Sequence, residues 1–136
     1  MKKKQLFFIG IMLCLIVFIA RAFYWYQKPR DSLTHAKPAY TLTAKALYDA
    51  FQQDEKKANQ QFLKKVIQVT GTVDYVQATD TTITIVLAAS NMGGINCNVR
   101  KEKDDVIPVK GNAVTVKGKC IGFLMDVNLV DVVIEK

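Results

Sequence analysis

The chain has 136 residues, 19 basic and 12 acidic, for a net charge of +7, and half of it is hydrophobic. That length is room for one domain, the apolar content excludes a disordered chain, and three cysteines are too few for a disulfide-dense miniprotein. The excess charge lies outside the expected folded part: from Thr41 onward, 12 basic residues face 11 acidic ones, so composition offers no basic domain for gripping phosphates.

Leu6–Ala20 is an uncharged apolar run behind Lys2, Lys3 and Lys4. As a helix it spans about 22 Å, and extension through Arg21 to Tyr26 brings it to about 31 Å, enough for a hydrocarbon core. Arg21 would snorkel toward the far interface, and Phe23, Tyr24, Trp25 and Tyr26 would form an aromatic belt there. The belt favours a retained anchor over residues 1–26. Ala20-Arg21-Ala22 also fits a small-x-small cleavage site, so a removed signal peptide, with export of the remainder, is the rival reading. The basic leader places the N-terminus inside and the following domain on the extracytoplasmic side. Cys14 follows Leu13 and reads as a lipid-facing side chain rather than a lipid attachment site.

Residues 27–40 are polar, hold two of the three prolines, and read as a linker. The single histidine, His35, lies there without partners spaced for a metal. The domain is expected over 41–136. It opens with a helical pattern from Thr43, a credible N-cap, to about Lys65. Leu47, Ala50, Phe51, Ala58 and Phe62 fall in a sector of about 120°. Asp54 falls in the same sector. Either it caps a second short helix after a break near Gln53, the preferred reading, or it is a carboxylate facing a cleft.

From Val66 the apolar period changes from 3.6 to 2, the sign of strands. Five are expected: Val66–Val76, Thr82–Leu87, Ile95–Val99, Asn112–Gly122 and Asp126–Glu135. In the first, Ile67, Val69, Gly71, Val73 and Tyr75 share the apolar face. In the last the phase slips between Leu129 and Val132, which predicts a bulge near Val130–Asp131. Residues 100–108 are too polar for a strand and are expected to form at most one helical turn. Five one-sided strands require closure. Glycines at 71, 118 and 122 stand where a tightly curved barrel needs residues without Cβ. The fold class expected is mainly β: a five-stranded OB barrel preceded by one or two short helices, behind an N-terminal transmembrane helix.

Several stretches carry a family resemblance: Asp54-Glu55-x-x-Ala58, Val69-Thr70-Gly71-Thr72-Val73, Lys110 through Cys120-x-Gly122, and Val127-x-Leu129. Their order resembles the tRNA_anti-like OB-fold family, small bacterial domains often behind a signal or membrane anchor. The resemblance covers Thr41 to Ile134. It implies the barrel behind a signal or membrane anchor, and with the N-terminal segment read as above, the expected location is the bacterial inner (cytoplasmic) membrane. Its motifs are barrel-forming residues, nearly silent on activity. The family pattern often carries a Cys near Val132; this chain has none, which removes one partner for Cys120.

Alternation turns Cys97 and Cys120 to the apolar face, where they form either a disulfide, which an oxidising compartment permits, or two buried free thiols. No P-loop, GxSxG, CxxC or helix-borne His pair occurs, so no enzyme, metal or cofactor is expected. OB domains bind single strands on the second and third strands, on aromatic platforms in a basic groove. Those strands here hold no aromatic residue, and their outer positions are Thr82, Thr84, Val86, Asn96, Asn98 and Arg100. Arg100, Lys117 and Lys119 form a modest basic cluster with Lys101 and Lys103, and Phe123, with Leu124 and Met125, either touches ligand or plugs the barrel. The reading is a non-catalytic module anchored in the bacterial membrane that binds an envelope protein or a small ligand. Single-stranded nucleic-acid binding is the alternative.

Overall fold

The computed structural model describes residues 2–26, 33–103 and 105–135. The chain separates into two compact units, Met1–Asp31 and Ser32–Lys136. In the first, helix α1 (Lys2–Tyr26) buries none of its side chains, and its mean hydropathy reaches 2.7. At 1.5 Å per residue it is about 37 Å long, enough to cross a membrane.

The second unit is a closed barrel. Its elements are β1 (Tyr40–Thr43), α2 (Ala44–Gln53), α3 (Glu55–Phe62), β2 (Val66–Ala78), β3 (Thr82–Ala88), β4 (Gly94–Arg100), β5 (Ala113–Phe123) and β6 (Val127–Glu135). The sheet runs β2-β3-β4-β6-β5 and closes by pairing β5 back onto β2. β4 and β6 are parallel, while the other barrel pairs are antiparallel. This is the OB barrel expected from the alternating pattern. Its interior is built from the residues that alternation turns inward, among them Ile67, Val69, Ile83, Ile85, Leu87, Ile95, Val116 and Leu129.

The helical region breaks where the buried-sector conflict at Asp54 requires. Thr43 Oγ1 accepts from the Ala46 N–H at 3.2 Å and caps α2, and Asp54 Oδ1 accepts from the Lys57 N–H at 3.0 Å and caps α3. The two helices bury Leu47, Tyr48, Phe51, Ala58 and Phe62 over one end of the barrel. There Phe51 stacks on Phe123 at 5.6 Å, Tyr48 meets Phe123 edge-on at 5.8 Å, and Phe62 meets Tyr40 edge-on at 5.2 Å.

Two glycines permit close approaches. A Cβ at Gly71 would stand 2.8 Å from the Ala44 Cβ, where α2 crosses β2. A Cβ at Gly118 would stand 2.7 Å from Val132 Cγ2. Gly118 faces the bulge in β6. Lys117 pairs with Val133 and Lys119 with Val130, so one residue of β5 opposes Asp131 and Val132. Asp131 takes up the left-handed conformation (φ 52°), which Asp tolerates. The extra residue returns Val132 to the interior after Leu129, which is the phase slip visible in the sequence.

Three local expectations need correction. Of the linker 27–40, residues 27–32 lie outside the described residues. From Leu33 the chain forms a short 3-10 turn (Leu33–His35) and then strand β1, which runs parallel to β2. β2 is bent: residues 66–72 pair with β5, and 73–78 pair with β3. β1 takes the edge that the first half of β2 leaves open, which alternation in so short a segment cannot announce. At 100–108 Arg100 itself still belongs to β4, and the single turn expected after it is closed by the Asp105 N–H donating to the Glu102 carbonyl at 3.4 Å and the Glu102 N–H donating to Asp105 Oδ2 at 2.7 Å. The third correction concerns Tyr75. Val73 pairs with Leu87 but Tyr75 with Val86, so Asp74 is an extra residue in β2. Beyond that bulge the faces exchange: Val73 is buried, while Tyr75 is 52% exposed on the outer surface.

Candidate ligand face

On the outer surface of β3 and β4, strand register lines up side chains from four strands. Tyr75, Val86, Asn96 and Asn128 form one transverse row across β2, β3, β4 and β6. Gln77, Thr84 and Asn98 form the next, and Thr82 and Arg100 the third. At strand spacings of about 4.8 Å and about 3.4 Å per residue, these rows cover roughly 14 Å by 14 Å. The Tyr75 hydroxyl donates to Gln77 Oε1 at 3.4 Å, which ties the two rows together at the β2 side.

Short, internally bonded loops border the face at both ends. At one end Thr79 Oγ1 accepts from the Thr82 N–H at 3.1 Å, Lys101 Nζ donates to the Thr79 carbonyl at 3.3 Å, and the Lys101 N–H donates to the Thr81 carbonyl at 3.0 Å. At the other, Ser90 Oγ accepts from the Met92 and Gly93 N–H groups, and Asp126 Oδ1 accepts from the Gly94 N–H at 2.7 Å. The last bond joins the β3–β4 loop to the β5–β6 loop. Met92, Leu124 and Met125 project from these two loops and are exposed. The β2–β3 and β3–β4 loops are therefore short and preorganised, while the longer connection 101–112 leaves the face at Arg100.

The basic cluster expected from the sequence does not survive folding as a unit. Arg100 lies on the face, at the end of β4. Lys117 lies on β5, separated from β4 by β6. It is buried, with its ammonium 2.8 Å from Glu135 Oε1 and 3.0 Å from the Thr34 carbonyl, so it binds the protein itself. Lys119 is exposed on the same β5 wall, away from Arg100. Phe123 packs against Tyr48 and Phe51 and plugs the barrel end, whereas its neighbours Leu124 and Met125 are exposed.

Cys97 and Cys120 are both buried and both free. Each pairs with Leu129, Cys97 from β4 and Cys120 from β5, so β6 runs between them. Two strand spacings put their Cα atoms roughly 9 to 10 Å apart, beyond the limit of about 7 Å for a disulfide. Alternation correctly turns both inward but carries no information on strand order. Burial pushes the Cys97 thiol up to about 12. Burial also raises that of Cys120, partly offset by a backbone hydrogen bond at Gly122. Neither is placed for nucleophilic chemistry. No cluster of metal-ligating side chains occurs among the described residues.

Tyr75, Gln77 and Asn128 belong to the face, and sequence reasoning misses them. The adjacent apolar pair Tyr75-Val76, which breaks alternation, is the available signal for Tyr75. Asn128 is brought in by the parallel pairing of β6 with β4, which no local pattern encodes.

The family model described as tRNA_anti-like matches residues 1–133. Among solved structures, a Klebsiella pneumoniae subsp. pneumoniae MGH 78578 protein described as a "putative nucleic acid-binding lipoprotein" superposes with a TM-score of 0.58. The two share 13% identity, over 80% of this chain and 100% of that one, a likeness that speaks for the fold. Among curated proteins none matches. With the barrel order, the capped helices and the motifs at Gly71 and Gly118 in place, the chain belongs to the tRNA_anti-like family.

Proposed function

We propose that this chain is a non-catalytic binding module, held by α1 at the extracytoplasmic side of a bacterial membrane, that takes its envelope partner on the outer face of β3 and β4. One observation carries the reading: the row Tyr75–Val86–Asn96–Asn128 is in register across four strands and framed by pinned loops. Other parts of the barrel are spent on the protein itself. Lys117 on β5 holds the Thr34 carbonyl, α2 and α3 close one end, and β1 covers the open edge of β2. The length and hydropathy of α1 support anchoring, and the basic leader Lys2-Lys3-Lys4 supports the orientation.

Single-stranded nucleic-acid binding is the second reading. Tyr75 supplies the aromatic platform that β3 and β4 lack, Arg100 adds a cation, and the Klebsiella neighbour is described in those terms. One cation on the face is little for a backbone that carries a charge at every nucleotide.

A photoreactive residue in place of Asn98 tests the module in intact cells. A specific crosslinked product supports the face, and its absence there and at Thr84 argues against it. A Ser32→Cys variant, labelled by a membrane-impermeant thiol reagent before lysis, tests the side. Labelling only after lysis would turn the domain to the cytoplasm and make nucleic acid the leading reading.

A further inference from the structure

We infer that the β3–β4 face recognises a neutral, hydroxyl-rich polymer, a glycan strand, and this rests on the reading above that the face is the binding site. The chemistry of the face is specific. Its polar side chains are the amides of Gln77, Asn96, Asn98 and Asn128 and the hydroxyls of Thr82 and Thr84, with Arg100 at one corner as the one cation in the three rows and Asp131, in the β6 bulge opposite Asn98, as the carboxylate at their border. An amide carries two donors and an acceptor oxygen, and a hydroxyl can do both. Asn128 spends one donor on the Asp126 carbonyl and Gln77 Oε1 accepts from Tyr75, which leaves Asn96 and Asn98 as the amides for which no bond among the described residues competes. Such a set matches a ligand whose own groups are hydroxyls and acetamides. It matches poorly with a polyanion, where affinity comes from cations and each neutralised phosphate adds to the salt dependence.

The second element is Tyr75. Its ring is half-exposed at the edge of the amide field, with its hydroxyl 3.4 Å from Gln77 Oε1. A pyranose ring presents C–H groups on its faces and hydroxyls around its rim. The aromatic plane offers apolar contact to the former while the neighbouring amides reach the latter. The Asp74 bulge is what turns this ring outward.

The third element is shape. The β2–β3 and β3–β4 loops are short and bonded to themselves, so along these two borders the face is an open strip that admits the middle of a long chain and does not require an end. Outside the membrane of a bacterium, neutral polymers of this kind are glycans, which agrees with the proposed side.

The test uses the full-length chain in detergent micelles, titrated calorimetrically with chitohexaose as the probe and with an oligothymidylate as the competitor class. Saturable chitohexaose binding is expected, with affinity changed less than about twofold between about 50 mM and about 500 mM salt. Tyr75→Ala and Asn98→Ala should each weaken it about tenfold or more, and Lys119→Ala should leave it intact. Circular dichroism melts of the same variants confirm that they fold. No binding at millimolar probe, or undiminished binding in folded Tyr75→Ala and Asn98→Ala, overturns the glycan assignment. So does binding of the oligothymidylate instead, with a steep salt dependence. The Asn98 and Thr84 crosslinks distinguish the two levels: crosslinking without chitohexaose binding removes the glycan and keeps the face, and failure of both removes the face as well.

Discussion

Lys117 and Glu135 meet diagonally across the β5–β6 pair, with Nζ 2.8 Å from Oε1, and the lysine is the one buried charged side chain among the described residues. Its ammonium also donates to the Thr34 carbonyl. A residue that reads from sequence as part of a basic patch is thus the bolt between the barrel and the segment leading into it.

Loss of that bolt should be felt in stability and not in binding. Glu135 is partly solvated, so the ion pair is screened. Lys117→Ala is expected to lower stability by about 1 to 2 kcal/mol, as unpaired partners are left behind. Proteolysis should then cut faster near Leu33. Urea unfolding and limited digestion measure both.

At Gly118 the cost should be larger. Gly118→Ala sets a methyl 2.7 Å from Val132 Cγ2, opposite a bulge already constrained at Asp131. Overpacking of this kind costs about 1 to 3 kcal/mol. Gly71→Ala, against the Ala44 Cβ, should behave similarly, and thermal melts compare the two.

The thiols provide a redox and a pH test. In a Cys14→Ser background, native protein should resist thiol reagents, and denaturation without reductant should expose both Cys97 and Cys120 to labelling. Labelling that required reduction would contradict the interposed strand. The folded Cys97 thiol titrates near 12 against an ordinary value of 9.0. Its raised value means that between these limits the unfolded chain ionises and the folded one does not. The protonated thiol has no effect below about pH 9; above it, stability should fall by roughly 1.4 kcal/mol per pH unit. Cys97→Ala should remove its share of that slope in chemical denaturation at high pH, leaving the part that the raised Cys120 thiol contributes.

Asp54 should act as a cap alone. Asp54→Asn is expected to be nearly silent, while Asp54→Ala should cost about 1 kcal/mol by releasing the Lys57 N–H. Helical content and urea midpoint check this, and chitohexaose affinity should be unchanged in both.

Much of this fold can be read from local patterns because its rules are local. The cap at Asp54, the bulge at Asp131 and the crowded glycines at 71 and 118 each follow from a conflict visible within a few residues. The face is less legible. Alternation assigns Tyr75 inward, because it cannot see that one extra residue at Asp74 exchanges the two sides of a strand. Asn128 joins Asn96 only through parallel pairing of distant segments. Lys117 and Arg100 look like neighbours in charge, yet strand order puts another strand between them. Periodicity reports which side a residue faces, and not which strand lies beside it.

The order of strands in space also differs from their order along the chain. β6 follows every other strand in sequence, yet it lies between β4 and β5 and holds them together. Before it arrives, β5 has no partner strand but the distant β2, and the register that joins Val66 to Lys119 must close a long loop. The capped helices can form from neighbours alone, but the barrel cannot ring shut until its final strand is available. Closure of the barrel should therefore fall in the slow range typical of barrels built on non-local pairings.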